Sequence, residues 1–243
     1  MEFEDEAFVL SARLHGETGA IVELLTREHG KQLAHIAGGA SRRMKPILQP
    51  GTKVVARYRA RLAEQLGSAR LEAIGEGPSV LFSDPLALAG LAAACAIAAG
   101  ALAEREAHPG VFSAFERLME ALANPDLWPA ILVRFEAGLL GELGYGFDFS
   151  RCAVTGSSDD LVFVSPRTGR AVSRAAAEPY RSRLLPLPAF LVSSQARVAA
   201  GDVGAGLELT GYFLARCVFA NLSEPLPTSR RALIPRLAAA GRL

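Results

Sequence analysis

The sequence predicts an α+β multidomain protein in which a small closed β-barrel is followed by an α-helical bundle. Two observations carry this prediction. In roughly the first eighty residues, short apolar stretches alternate with turns that contain Gly. Further along, apolar residues recur every three or four positions, as on one face of a helix. The segment GEGPS at 75–79 separates the two patterns, so we predict domains at 1–78 and 79–243.

The barrel prediction depends on five short stretches of strand-like composition. They are predicted at 7–14, 20–26, 31–37, 52–62 and 69–75. Five short strands with Gly-bearing turns fit an oligonucleotide-binding (OB) fold, a five-stranded Greek-key barrel.

The helical part begins with Asp84-Pro85, a pair typical of a helix start. Helices are predicted at 85–103, 112–123 and 130–143, with two or three more after Phe190, and a loop-rich insert is expected at about 150–188. The first helix carries no charge and is nearly long enough to span a bilayer. Ala and Gly dominate it and no Lys or Arg flanks it, so we interpret it as a buried helix.

Composition excludes several classes of function. The formal net charge is only +1, so any nucleic-acid site must be local. Three widely spaced Cys residues and an acidic N-terminus without an apolar core favour a cytoplasmic protein. Neither a P-loop, a GxGxxG unit between strand and helix, HExxH nor GxSxG is present. We therefore predict no catalytic residues and no enzymatic activity; a hydrolase with a dispersed site is a poorly supported alternative, because no pairing of a nucleophile with a base is visible.

The strongest local signal is a run of cations on the fourth predicted strand. Because side chains alternate between the faces of a strand, Arg57, Arg59 and Arg61 are expected on one face. Between Arg42 and Arg61 there are seven basic residues and no acid. Such a set predicts a partner with many phosphates, although a solvated face that deters aggregation is the alternative. The predicted DNA track comprises Arg42, Arg43, Lys45, Arg57, Arg59 and Arg61.

The C-terminal tail is a second basic element. After Glu224 it contains four Arg residues and no acid. Arg230 and Arg231 are therefore further candidates for DNA contact, with a solvated helix end as an equally good interpretation.

Cys152 begins a segment whose spacing resembles that of a zinc site. A zinc knuckle has two pairs of ligands, and here CAVTG is followed about twenty residues later by GRAVSRAA. A knuckle of two CxxC pairs would place its ligands at Cys152, Thr155, Ser173 and Ala176. One thiolate cannot hold a structural zinc. We therefore predict that the protein binds no zinc and that the insert is held by packing of Leu161, Phe163 and Val164.

Several stretches together resemble the RecO family of bacterial DNA-repair proteins. They lie at 16–31, 38–51, 133–152 and 229–237, in the family's order along nearly the whole chain. The most specific is VRFEAGLLGELGYGFDFSRC, which ends at Cys152. Many members carry four Cys ligands where this chain keeps only Cys152, so the resemblance implies a degenerate zinc-finger-like insert.

The resemblance also implies a function and partners. It implies a recombination mediator with an N-terminal OB domain that binds single- and double-stranded DNA and anneals complementary strands. It implies that the protein acts with RecR to help load RecA onto DNA coated by the single-strand DNA-binding protein. The acidic C-terminal tail of that coating protein is a further implied partner. It implies a cytoplasmic, nucleoid-associated protein. Arg134 is a weak candidate for the tail-binding groove, since an internal pair with Glu136 or another acid is equally compatible. The alternative function is a protein–protein adaptor whose basic barrel face binds acidic peptides.

Overall fold

The computed structural model describes residues 1–62, 65–75, 77–81, 83–220 and 226–243. The chain divides into two compact units. The first comprises Met1–Ala123 and Pro227–Arg230, and the second comprises Asn124–Leu226 and Arg231–Leu243.

A closed five-stranded barrel forms the N-terminal part of the first unit, as the sequence predicted. Its strands run in the order β1-β2-β3-β5-β4, and β4 returns to pair with β1. All strand pairs are antiparallel except β3 with β5. This is the arrangement of an OB fold. The strands are β1 (Glu2–His15), β2 (Gly19–Thr26), β3 (Lys31–Ile36), β4 (Lys53–Arg59) and β5 (Gly67–Ala73).

Alternate residues of the strands fill the barrel interior. The strands form here because each of them can bury its apolar side chains on that one face. Val54, Ala56 and Tyr58 of β4 are buried inside, while Arg57 and Arg59 are exposed.

Residues 37–52, which we call the plug segment, connect β3 to β4 through a series of turns. Met44, Ile47 and Leu48 of this segment pack against the barrel core. The plug segment is thus anchored by its apolar side chains, while its charged residues Arg42, Arg43 and Lys45 are exposed.

The first strand differs from the prediction because it begins at Glu2 rather than at residue 7. Glu2, Phe3, Glu4, Asp5 and Glu6 all lie in β1 and pair with β4 in antiparallel register. The acidic composition hid this half of the strand, since Asp and Glu are depleted in strands. The fourth strand also ends earlier than predicted, at Arg59, so Arg61 follows the strand.

Two helices complete the N-terminal part of the first unit: α1 (Pro85–Ala101) and α2 (Pro109–Ala121). The Asp84 carboxylate accepts hydrogen bonds from the backbone N–H groups of Leu86 and Ala87 and so caps α1. Within the described part of the chain, no helix combines the length and apolarity that a bilayer-spanning segment needs. Lys31 is buried, and its Nζ donates to the carbonyl of Ala99, 2.5 Å away, near the C-terminal end of α1.

The second unit is built on α3 (Trp128–Leu140), which packs against α6 (Asp202–Phe213). Between them in sequence lie a small antiparallel sheet, two short α-helices, α4 (Arg174–Ala177) and α5 (Ala189–Val192), and a 3-10 helix at Glu178–Arg183. The sheet has the order β7-β6-β8, formed by β6 (Leu161–Val164), β7 (Ala171–Ser173) and β8 (Leu185–Pro186). A last helix, α7, covers Thr228–Ala239, and its residues from Arg231 onward belong to the second unit. The helical architecture predicted for the C-terminal part is therefore confirmed.

A buried acid joins α3 to α6. Glu136 is fully buried, and its Oε2 accepts a hydrogen bond from the Thr210 hydroxyl. A buried carboxylate is costly unless it is hydrogen-bonded. This pairing gives α3 and α6 a specific register.

Candidate nucleic-acid interface

The outer face of β1, β4 and β5 carries charged residues in cross-strand rows. One row aligns Glu4 of β1, Arg57 of β4 and Arg70 of β5. The next row, toward the end of β4, aligns Glu2, Arg59 and Ser68. This face therefore alternates in charge from β1 to β4.

The carboxylates of β1 contact the guanidinium groups of β4. Arg57 Nε lies 2.5 Å from Glu4 Oε2, and Arg57 Nη1 lies 3.5 Å from Glu72 Oε1. The hydrogen bond and charge of Glu4 raise the pKa of the Arg57 guanidinium. Arg59 Nε lies 3.9 Å from Glu2 Oε2, a looser pair. Both pairs are well exposed: the side chains of Arg57 and Glu4 keep 57% and 58% of their surface.

Lys53, at the start of β4, belongs to a less exposed network. Its Nζ lies 2.7 Å from Glu116 of α2 and 3.2 Å from Glu6. Burial by itself lowers the pKa of Lys53, but Glu116 and Glu6 outweigh it and raise the pKa. Hydrogen bonds from Arg27 and Lys53 lower the pKa of Glu6. Lys53 is thus held inside this network.

These contacts correct one premise of the sequence-based argument. The window from Arg42 to Arg61 contains no acid, and its cations were therefore interpreted as needing a polyanionic partner to offset their charge. For Lys53, Arg57 and Arg59 that premise is wrong, because β1 supplies carboxylates from about fifty residues away in sequence. The alternation of β4 was visible in the sequence, but its pairing with β1 was not.

The plug segment presents the other cations of the predicted track. Arg42, Arg43 and Lys45 are exposed. Among the described residues, none of the three has a carboxylate within salt-bridge distance. Their backbone is fixed by turns, including the hydrogen bonds from the N–H groups of Met44 and Lys45 to the Ser41 carbonyl. Three unneutralised cations therefore stand on a segment anchored in the barrel core.

Two further Arg residues are exposed near the Arg57–Glu4 and Arg59–Glu2 ion pairs, which we call the ion-pair ladder. Arg61 follows β4, and Arg70 lies directly across from Arg57 on β5. Within the described part of the chain, neither makes an ion pair. Arg70 was not among the sequence candidates, although its alternation with Glu72 on the strand predicted at 69–75 could have revealed it.

A cavity of about 670 Å³ opens beside these residues. Its walls include Arg57, Arg59 and Arg70, together with His35 of β3 and Ala37, the first residue of the plug segment. The cavity thus adjoins both the ion-pair ladder and the start of the plug segment.

The C-terminal tail matches the prediction only in part. Arg230 is 1% exposed, so it cannot present its guanidinium to DNA, and its assignment as a DNA contact is corrected. Arg231, the next residue of α7, is exposed. Successive residues of a helix point about 100° apart, which is why adjacent Arg residues have such different surroundings.

Arg134 makes contacts within the second unit. Its Nη2 donates to the carbonyl oxygens of Phe190, at 2.7 Å, and Ser193, at 3.5 Å. The guanidinium also lies 5.9 Å from the centre of the Phe190 ring. These contacts hold the segment around α5 against α3, and they leave the guanidinium less available to a partner.

Cys152 is buried in the small apolar cluster of the insert, beside Val172 and Ala177. Its Sγ accepts hydrogen bonds from the Ser173 backbone N–H, at 3.3 Å, and from the Ser173 hydroxyl, at 3.4 Å. Burial raises the pKa of the thiol, but hydrogen bonds from Ser173 and Thr155 outweigh it and lower the pKa to about 6.

These four positions do not suit a zinc ion. Ser173 and Thr155 act as hydrogen-bond donors to the one sulfur, and Ala176 offers only a methyl group that packs against the apolar cluster. Structural zinc sites need four N or S ligands. Among the described residues, no cluster of three or more His, Cys, Asp and Glu side chains could hold a metal ion.

The barrel order and the helices that follow define an OB-fold protein with a helical second unit, and the plug segment gives its barrel exposed cations. The profile described as "Recombination protein O N terminal" matches residues 1–74, and that described as "Recombination protein O C terminal" matches residues 82–224. The chain belongs to the RecO family.

Proteins named "DNA repair protein RecO" are similar to this chain along its length. The one from Phenylobacterium zucineum (strain HLK1) is 66% identical over 243 residues, covering 100% of both chains. The one from Rhodospirillum centenum is 51% identical over 238 residues, covering 97% of this chain and 94% of its own. The one from Cereibacter sphaeroides is 48% identical over 238 residues, covering 98% and 99%.

Proposed function

We propose that this protein is a DNA-binding recombination mediator that brings complementary single strands together. The observation that carries the proposal is the set of exposed cations in the plug segment, Arg42, Arg43 and Lys45, on an OB barrel of the RecO family. An anionic backbone would neutralise them and release its condensed counter-ions. Arg61 and Arg70 extend the site along the barrel, and Arg231 is a separate candidate.

Annealing in this proposal needs no bond chemistry, so the protein acts without being an enzyme. Two polyanions must approach with their repulsion screened, while their bases stay available for pairing. Phosphate contacts without readout of base edges meet both needs. The same contacts accept double-stranded DNA, since both forms offer phosphates.

The proposed partners are those that the family resemblance implies. We propose that the chain works with RecR in the cytoplasm, in association with the nucleoid, to help load RecA onto DNA coated by the single-strand DNA-binding protein. The acidic C-terminal tail of that protein is proposed to bind the second unit. Because Arg134 donates to backbone carbonyls, we expect its replacement to disturb α5 packing as well as any tail contact.

The test of DNA binding is a titration of single- and double-stranded oligonucleotides at two or more salt concentrations. We expect binding to both forms, with a logarithmic affinity that falls linearly with the logarithm of salt concentration. Similar affinity for single strands of different sequence is expected, because phosphates are alike. A chain that is folded but binds neither form at low salt contradicts the proposal.

A protein–protein adaptor remains the second candidate, because the same cations attract acidic peptides. Competition separates the two functions. If the barrel is a DNA site, a short single-stranded oligonucleotide should displace an acidic peptide at far lower concentrations than the reverse. Tight peptide binding that excess oligonucleotide does not disturb would favour the adaptor.

We further propose that the insert forms without metal. Ser173 donates hydrogen bonds to Cys152, and Leu161, Phe163 and Leu184 pack against the cluster of Cys152, Val172 and Ala177. Val164, also predicted to hold the insert, is buried but lies outside this cluster. Elemental analysis of the purified protein is expected to find far less than one zinc per chain, and a chelator should leave the melting temperature unchanged. About one zinc per chain would contradict this prediction.

A further inference from the structure

The ion pairs on the outer face of the barrel place carboxylates where phosphates would bind. Glu4 Oε2 is 2.5 Å from Arg57 Nε, and Glu2 Oε2 is 3.9 Å from Arg59 Nε. A carboxylate and a phosphate present similar oxygen pairs to the fork of a guanidinium. Each of these two Arg residues therefore already has an anionic ligand before DNA arrives.

We propose that Glu2 and Glu4 of β1 compete with DNA phosphates for Arg59 and Arg57 and thereby set the strength of DNA binding on this face. The inference rests on the proposed DNA-binding function. It assigns these two residues a role in affinity, in addition to the folding of β1 against β4.

The exposure of these pairs makes the exchange feasible. The side chains of Arg57, Glu4, Arg59 and Glu2 retain between 57% and 77% of their surface. Exposed ion pairs of this kind contribute little to stability, so a phosphate can replace a carboxylate at small cost. Lys53 is a contrasting case: its contacts with Glu6 and Glu116 are less exposed, with 25% of the Lys53 side chain accessible, and we expect it to stay paired.

Arg70 offers a starting point for the exchange. It lies opposite Arg57 across β4 and β5, and no carboxylate of the described residues forms an ion pair with it. Like charges directly opposite each other on a sheet are unfavourable. A phosphate that first contacts Arg70 is therefore beside Arg57 and can displace Glu4 from it.

The competition favours polyanions over single anions. A lone carboxylate from another molecule gains nothing by replacing Glu4, which is already tethered beside Arg57. A DNA strand contacts Arg70, Arg57 and neighbouring cations together, and its gain includes the release of several counter-ions. The built-in carboxylates should thus suppress binding of short acidic ligands more than binding of DNA.

The experiment compares Glu4→Gln with the unchanged protein in titrations of a single-stranded oligothymidylate. Gln keeps the size of Glu but removes its charge. Because an exposed ion pair contributes little to stability, we expect Glu4→Gln to tighten DNA binding by roughly 1.4- to 5-fold. We expect the salt dependence to steepen by up to about 0.7 in the log–log slope, the value for one phosphate contact on a single strand. Glu2→Gln should act in the same direction but less, given the longer distance to Arg59.

The matched control is Glu120→Gln on α2. Glu120 is exposed, and no ion pair to it is found among the described residues. It loses the same charge, so a long-range effect of net charge would appear equally in both variants. An unchanged melting temperature shows that Glu4→Gln retains the fold.

A double-mutant cycle with Arg57→Ala completes the test. In the Arg57→Ala background, Glu4→Gln should no longer tighten binding, because the guanidinium for which Glu4 competes is gone. Equal effects of Glu4→Gln and Glu120→Gln, or the same tightening without Arg57, would overturn this inference while leaving DNA binding intact. Failure of the unchanged protein to bind DNA would overturn both this inference and the proposed function.

Discussion

Replacing Arg42, Arg43 and Lys45 together with Ala is expected to weaken single-stranded DNA binding by on the order of 100-fold at about 0.1 M salt. Each phosphate contact on a single strand contributes about 0.7 to the log–log salt slope, so three lost contacts lower that slope by about 2. These side chains are exposed and lack carboxylate partners among the described residues. Their full charge is therefore available to DNA.

The matched comparison is Arg57→Ala with Arg59→Ala on β4. Because Glu4 and Glu2 already neutralise these two residues in part, we expect a smaller loss per residue than in the plug segment. Titration by fluorescence anisotropy at several salt concentrations measures both the affinity and the slope. Unchanged affinity of the folded triple variant would remove the plug segment from the DNA site.

Gly30→Ala is expected to lower the free energy of unfolding of the first unit by about 2–5 kcal/mol. Gly30 has a φ of +68°, and an added Cβ would lie 2.0 Å from the Glu106 carbonyl oxygen. The left-handed conformation costs about 1–2 kcal/mol for a residue with a Cβ, and relief of the clash costs about 1–3 kcal/mol more. The obstacle is backbone, held by the hydrogen bond from the neighbouring Arg105 N–H to the Lys31 carbonyl, so it cannot simply rotate away.

Gly16→Ala provides the control for this prediction. Gly16 has a similar φ of +65°, but nothing lies within 4 Å of the position that an added Cβ would take. It should show only the conformational cost, about 1–2 kcal/mol. We expect Gly30→Ala to lower the melting temperature by on the order of 10 °C and Gly16→Ala by a few degrees. Equal shifts in the two variants would show that the approach to Glu106 is unimportant.

The barrel could be predicted because most of its strands show a clear local pattern. In β4, the inward residues Val54, Ala56 and Tyr58 alternate with Val55, Arg57 and Arg59, and a strand places the two sets on opposite faces whatever its neighbours are. Turns with Gly marked most of the boundaries. The first half of β1 lacked that pattern, since Glu2, Glu4 and Glu6 make it resemble a disordered acidic end.

The acidic half of β1 forms a strand because of contacts that no local pattern reveals. Its outward carboxylates meet Arg59, Arg57 and Lys53. The buried carboxylate on its inward side also has hydrogen-bond partners: Asp5 Oδ2 lies 2.8 Å from His29 Nδ1 and accepts a hydrogen bond from the Glu28 N–H. The acidic composition is unfavourable for a strand, but the cross-strand contacts with β4 outweigh that low strand propensity.

The β-barrel could be inferred from the sequence alone, as could the helical second part, the cations of the plug segment and the resemblance to the RecO family, because each depends on residues close together in the chain or on their order. Which cations have internal partners became visible only in the folded chain. Arg57 and Arg59 are neutralised in part, Arg230 is buried, and Arg70 joins the exposed set. The physical reason is that the environment of a charge is set by residues distant in sequence, which folding brings within a few ångströms.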